Sequence, residues 1–185
     1  MGAEKALLAL GGQTLIAHVA GRLRPQVDAL FINANGEPAR FAWLGYPVVA
    51  DGGADVGVEG PLAGLRAAFA FAASQGFARL ATAPCDAPFL PLDLVARLDV
   101  AMTASGALAA APQGASGLEP MFALWSLKAE REIAAEFARG EASPRGVLER
   151  LGADRVEFST VNDPFANLNR PEDLAAAEAR FDDRA

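Results

Sequence analysis

Short apolar runs that stop at a polar residue alternate along this chain with longer stretches whose apolar positions recur at helical spacing. Val27–Asn35 (VDALFINAN), Tyr46–Asp51 (YPVVAD) and Ala78–Asp86 (ARLATAPCD) are of the first kind and predict buried strands. Thr14–Leu23 opens with a candidate cap and sets Leu15, Ile16, Val19 and Leu23 near one face. Pro61–Ser74 repeats Leu62, Leu65 and Phe69, and Pro91–Met102 repeats Leu94, Val95, Leu98 and Met102 behind a first-turn proline. Alternation of this kind predicts an α/β fold with parallel strands and helices on both faces.

The pattern changes after Ser105. Ala107–Ala111 and Met121–Trp125 predict strands joined by a turn-rich segment, which adds antiparallel pairing in the second half. Helices are expected at Lys128–Arg139, Arg145–Leu151 and Pro171–Phe181, and a short strand at Val156–Ser159. The chain opens inside an apparent loop, Met1-Gly2-Ala3-Glu4-Lys5, where a sheet of this kind normally begins with an apolar strand. Either the fold starts unusually, or an upstream segment belongs in front of it.

A length of 185 residues fits one domain spanning 1–185. The formal charge of −7 speaks against a broad nucleic-acid face, which needs clustered Lys and Arg. A single cysteine, Cys85, excludes an internal disulfide and a multi-cysteine metal site. No apolar run reaches the roughly 18 residues of a membrane span, and no signal-peptide pattern is visible, so a cytoplasmic protein is expected.

Ligands of parallel α/β sheets gather at the carboxyl ends of the strands. Asn33 and Asn35, Asp51 and Asp86 fall at three successive ends of that kind. Such amide and carboxylate oxygens suit a base, a ribose and a hard divalent cation, and they also serve as ordinary strand-ending turn residues. Asp86 sits between Pro84 and Pro88, a stiff setting for a metal-binding carboxylate. Lys5 offers a compact positive charge for a phosphate, or a solvated surface lysine. Gly60-Pro61-Leu62-Ala63-Gly64 opens a helix whose free N–H groups suit an anion, or simply starts that helix. Asn167 and Asn169 alternate on one face of an extended segment and suit a heterocycle, with helix capping by Asn169 as the alternative. Cys85 reads as a buried inert thiol and His18 as a packing or surface residue.

Taken in order, the segments KALLALGG (5–12), INAN (32–35), VVAD (48–51), GPLAG (60–64), PCDAPFLP (84–91) and NLNRPEDL (167–174) resemble bacterial molybdenum cofactor guanylyltransferases. The resemblance runs over nearly the whole chain. It implies a three-layer, Rossmann-like nucleotidyltransferase fold that joins GMP from GTP to molybdopterin, with Mg2+ and release of pyrophosphate. It further implies that Lys5 and Asp86 are catalytic, that Lys5, Asn33, Asp51 and Asp86 bind GTP, and that Asp86 holds the metal. Asn167 and Asn169 match a pair linked to the pterin substrate. Molybdoenzymes or cofactor-insertion chaperones are the further partners it implies, with no nucleic acid and no membrane. Two departures stand out. The family begins with an apolar strand and a glycine-rich nucleotide loop, of which only Met1-Gly2 remains, and Glu119 stands where many relatives carry histidine. A cytidylyltransferase of the same cofactor, or a non-catalytic homologue that binds cofactor or a molybdoenzyme, is the alternative reading.

Overall fold

The computed structural model of the chain describes residues 5–50, 61–115, 117–139, 143–158 and 161–182. After a helical turn at Lys5 and Ala6, β1 (Ala9–Leu10) and β2 (Gln13–Thr14) form a small hairpin. Its turn is Gly11-Gly12, with φ of 54° and 81°, the left-handed pair that a two-residue hairpin requires. Helix α1 (Leu15–Leu23) follows directly. Thr14 caps it by accepting from the Ala17 N–H at 3.3 Å. Its buried face is Leu15, Ile16, Val19, Ala20 and Leu23, as the spacing predicts.

Next come β3 (Ile32–Asn33), β4 (Val48–Val49), α2 (Pro61–Ser74), β5 (Arg79–Ala81) and α3 (Leu94–Ser105). The second half holds β6 (Ala109–Gly114), β7 (Gly117–Leu118), β8 (Leu124–Ser126), α4 (Glu130–Ala138), α5 (Pro144–Arg150), β9 (Asp154–Glu157) and α6 (Pro171–Asp182). Strand β8 pairs antiparallel with both β5 and β6, and β9 lies parallel to β6. The first-half pair β3–β4 is parallel, with Ile32 opposite Val48.

Side chains on β6 alternate between two cores, as period two demands. Ala109 and Ala111 join Leu65, Phe69, Trp125, Ile133 and Val147, which belong to the α2, α4 and α5 side. Ala110 joins Val19, Leu94, Leu98, Phe122 and Phe165 on the α1 and α3 side. Helices therefore cover both faces, and the architecture is the three-layer α/β arrangement that the alternation predicts. The three consecutive alanines are fully buried. Their short side chains leave room for Trp125, opposite Ala109 on the neighbouring strand, and for Phe122 on the other face.

Several expectations shift: the strand expected at Met121–Trp125 is Leu124–Ser126, and the one expected at Val156–Ser159 is Asp154–Glu157. Helix α3 starts at Leu94 rather than at Pro91. Gln26 Oε1 accepts from the Val95 N–H at 2.9 Å and so supplies the first-turn partner from a distant part of the chain. The strands around 27–35 and 78–86 are also shorter than their apolar runs. Among the described residues, β3 pairs with β4 alone and β5 with β8 alone. Between them lies an elongated groove of about 1010 Å3, walled by Val27, Phe31, Ile32 and Leu80. Val19 of α1 and Leu65 of α2 line it from the two faces of the sheet. Among the described residues, no helix is long and apolar enough to cross a membrane.

Candidate functional site

The carboxyl ends of β3 and β5 meet the first described residues of the chain. Ala6 is buried with Ile16, Ile32 and Phe41, and Cys85, Ala34 and Val48 pack against the same cluster. This contact brings the Lys5 turn, the end of β3 and the Cys85-Asp86 loop to one rim. Asn33 sits exposed at the end of β3, and its Nδ2 donates to the Val49 carbonyl at 3.1 Å. Asp51 and Gly60 lie outside the described residues.

The C-terminal segment closes onto the same rim. The Leu168 N–H donates to the Asp86 carbonyl at 2.9 Å. Leu168 is buried with Leu10, Leu15 and Phe89, whereas Asn167 and Asn169 on either side of it are exposed. The alternation read from the sequence therefore holds. Lys5 Nζ donates to Asn169 Oδ1 at 2.7 Å. Capping of α6 falls to Asp173 instead. Its Oδ2 accepts from the N–H groups of Asn169 and Arg170, both at 2.9 Å, in the manner of a capping box.

Burial pushes the Asp86 carboxyl above its ordinary range, and its own backbone N–H and the Lys5 charge pull the other way. The Cys85 thiol is pushed up to about 11, mainly by burial and then by the Asp86 charge. A thiol raised this far is little ionised at neutral pH, in line with the buried, inert reading. His18 Nε2 donates to the Leu10 carbonyl at 2.7 Å and holds α1 against β1, a packing role. Glu119, half-buried, is also raised, by burial first and Asp163 second, while Arg145 opposes the shift.

The described residues contain no group of three or more His, Cys, Asp or Glu side chains arranged to hold a metal ion. A magnesium site needs no such cage. The ion keeps several waters and takes one or two carboxylates together with substrate phosphates. Asp86 offers one half-buried carboxylate at this rim, which together with substrate phosphates is a donor set that fits that group.

A model of the MobA-like NTP transferase domain matches residues 1–156. A molybdenum cofactor guanylyltransferase of Cereibacter sphaeroides is 47% identical over 178 residues, covering 96% of this chain and 88% of its own length. The chain belongs to the molybdenum cofactor guanylyltransferase family. The guanylyltransferase of Rhodobacter capsulatus is 46% identical over 186 residues, covering 98% of this chain and 90% of its own. Among solved structures, molybdopterin-guanine dinucleotide biosynthesis protein A of Archaeoglobus fulgidus superposes with a TM-score of 0.76 at 25% identity. It covers 97% of this chain and 91% of that one. Membership makes this guanylyltransferase-family chain a nucleotidyltransferase and accounts for the α/β layers. The contact between Lys5 and Asn169 could not be read from sequence, because 164 positions separate them. The capping role of Asp173 had a signal: an acid three residues after the cap position of a helix opened by proline.

Proposed function

We propose that the protein transfers the GMP moiety of GTP to the terminal phosphate of molybdopterin and releases pyrophosphate. A phosphate oxygen of molybdopterin attacks the α-phosphorus of GTP. A new P–O bond forms, the bond from the α-phosphorus to the bridging oxygen breaks, and pyrophosphate leaves with its electron pair. The substrate supplies the nucleophile, so the protein's task is positioning and charge stabilisation.

The observation that carries this reading is the convergence of Lys5, Asp86 and Asn169 at one rim, tied by the Leu168–Asp86 hydrogen bond. Lys5 directs an ammonium toward the triphosphate. Asp86 is the residue that would hold Mg2+, whose chemistry when bound is to neutralise phosphate oxygens. Asn33 and Asp51 contribute to the nucleoside side of the site. Asn167 faces the pterin side, and Asn169 stands two residues on, at the Lys5 ammonium. Glu119, at the histidine position of many relatives, places a carboxyl near Asp163 and Arg145.

The test is pyrophosphate release by the purified chain with Mg2+ and molybdopterin, comparing GTP with CTP. Release that depends on GTP supports the reading. Preference for CTP moves the protein to cytidyl transfer, and binding of molybdopterin without turnover marks a non-catalytic homologue.

A further inference from the structure

We propose that Asn169 is a positioning residue for the Lys5 ammonium, so that the two asparagines divide their work and Asn167 is left to the second substrate. The inference deepens the functional reading above and rests on it. Its basis is geometric. Asn169 Oδ1 accepts from Lys5 Nζ at 2.7 Å, within the range of a strong charge-assisted bond. The backbone that presents this oxygen is fixed on both sides. Leu168 is buried and its N–H is held by the Asp86 carbonyl, while the Asn169 and Arg170 N–H groups are held by Asp173. A fixed acceptor therefore meets the end of a side chain with four rotatable bonds.

The chemistry of an amide suits this task. It is neutral, so it orients the ammonium without discharging it. An ammonium has three N–H donors. One engaged by Asn169 leaves two for phosphate oxygens. The charge stays close to the rim, because the residue after Lys5, Ala6, packs in the same cluster as Cys85. The same loop that carries the Asp86 carboxylate thus also fixes, through Leu168 and Asn169, where the lysine points. Asn167 has no such task among the described contacts, and it stands exposed on the same face. It remains available to a heterocycle.

The experiment is a double-mutant cycle on Lys5→Ala and Asn169→Ala, read as MgGTP affinity by calorimetry, with KM for molybdopterin and Tm measured alongside. Asn169→Ala is expected to weaken MgGTP three- to tenfold and leave the molybdopterin KM unchanged. In the Lys5→Ala background the same change is expected to cost nothing further. Additive losses, or a raised molybdopterin KM with intact MgGTP affinity, overturn the proposal. Asn169→Asp keeps the acceptor but adds a charge that competes with phosphate. It is expected to weaken MgGTP only while Lys5 is present, and weakening that persists in Lys5→Ala also overturns the proposal. A nucleotide-free readout separates this inference from the functional one. The Lys5 ammonium resonance is expected to move in Asn169→Ala and not in Asn167→Ala. Failure of the wild-type protein to bind nucleotide sinks the functional reading, whereas an unmoved Lys5 resonance sinks this one.

Discussion

The Leu168 N–H lies 2.9 Å from the Asp86 carbonyl oxygen, and this single backbone bond stitches the C-terminal segment to the loop that follows β5. It has a local effect on each partner. For Asp86 it fixes the peptide whose side chain faces Lys5. For Leu168 it sets the register that turns Asn167 and Asn169 outward. A carboxylate loop from the middle of the sequence and an asparagine-bearing segment near its C-terminal helix thereby become one edge of a site.

Asp86 should trade stability for function. Its carboxyl is raised by burial, so the folded state disfavours the charged form. That penalty is absent below the unfolded carboxyl value of about 3.9, where the group is protonated in both states, and is complete above the raised folded value. Asp86→Asn is therefore expected to raise Tm at neutral pH and to leave it unchanged near pH 3. Pyrophosphate release should fall by on the order of 100-fold or more. Thermal unfolding at the two pH values, with a turnover assay, checks both halves.

Cys85 should resist alkylation. With its thiol pushed up to about 11, the thiolate fraction at pH 8 is small. Labelling by iodoacetamide is expected to run roughly 100-fold slower than for an unperturbed thiol of pKa near 8.5. Unfolding in urea should restore the ordinary rate. Mass spectrometry over a time course reads the outcome.

Phe165 anchors the segment that carries the asparagines. Its ring meets Phe122 edge-on at 4.9 Å and Phe158 at 5.4 Å between centroids. It is 3% exposed. Phe165→Ala leaves a cavity below this segment and should cost about 3–5 kcal/mol, measured by urea denaturation. Phe165→Leu should cost less and hold the segment better.

Glu119 offers a second pH-dependent test. Burial and the nearby Asp163 charge raise its carboxyl, against the opposing Arg145 charge. The sign is that of Asp86. Glu119→Gln should stabilise the fold above the raised value and do nothing below the unfolded one. Removing Arg145 should have the reverse effect at neutral pH, and chemical denaturation at several pH values measures both.

Much of this was legible in the sequence for identifiable reasons. The apolar spacing of Leu15, Ile16, Val19 and Leu23 gave α1 its buried face, and Thr14 its cap. Polar residues at the ends of apolar runs marked Asn33 and Asp86 before any fold was in view. The start of α3 was not legible, because its first-turn partner Gln26 comes from elsewhere in the chain. Periodicity located Asn167 and Asn169 on one face but treated them alike. Only the tertiary contact with Lys5 tells them apart.

The groove between β3 and β5 has a consequence for what can lie against the sheet. Several polar side chains along it are engaged elsewhere. Gln26 bonds to the Arg22 and Pro91 carbonyls, Thr82 to Trp125, and Arg79 to Asp99. The groove's apolar lining includes Val27, Phe31, Ile32 and Leu80, set between two strands that among the described residues each pair on one side. An extended apolar segment seated there would meet both strands at once, and the Arg79–Asp99 pair marks the charged border of that seat.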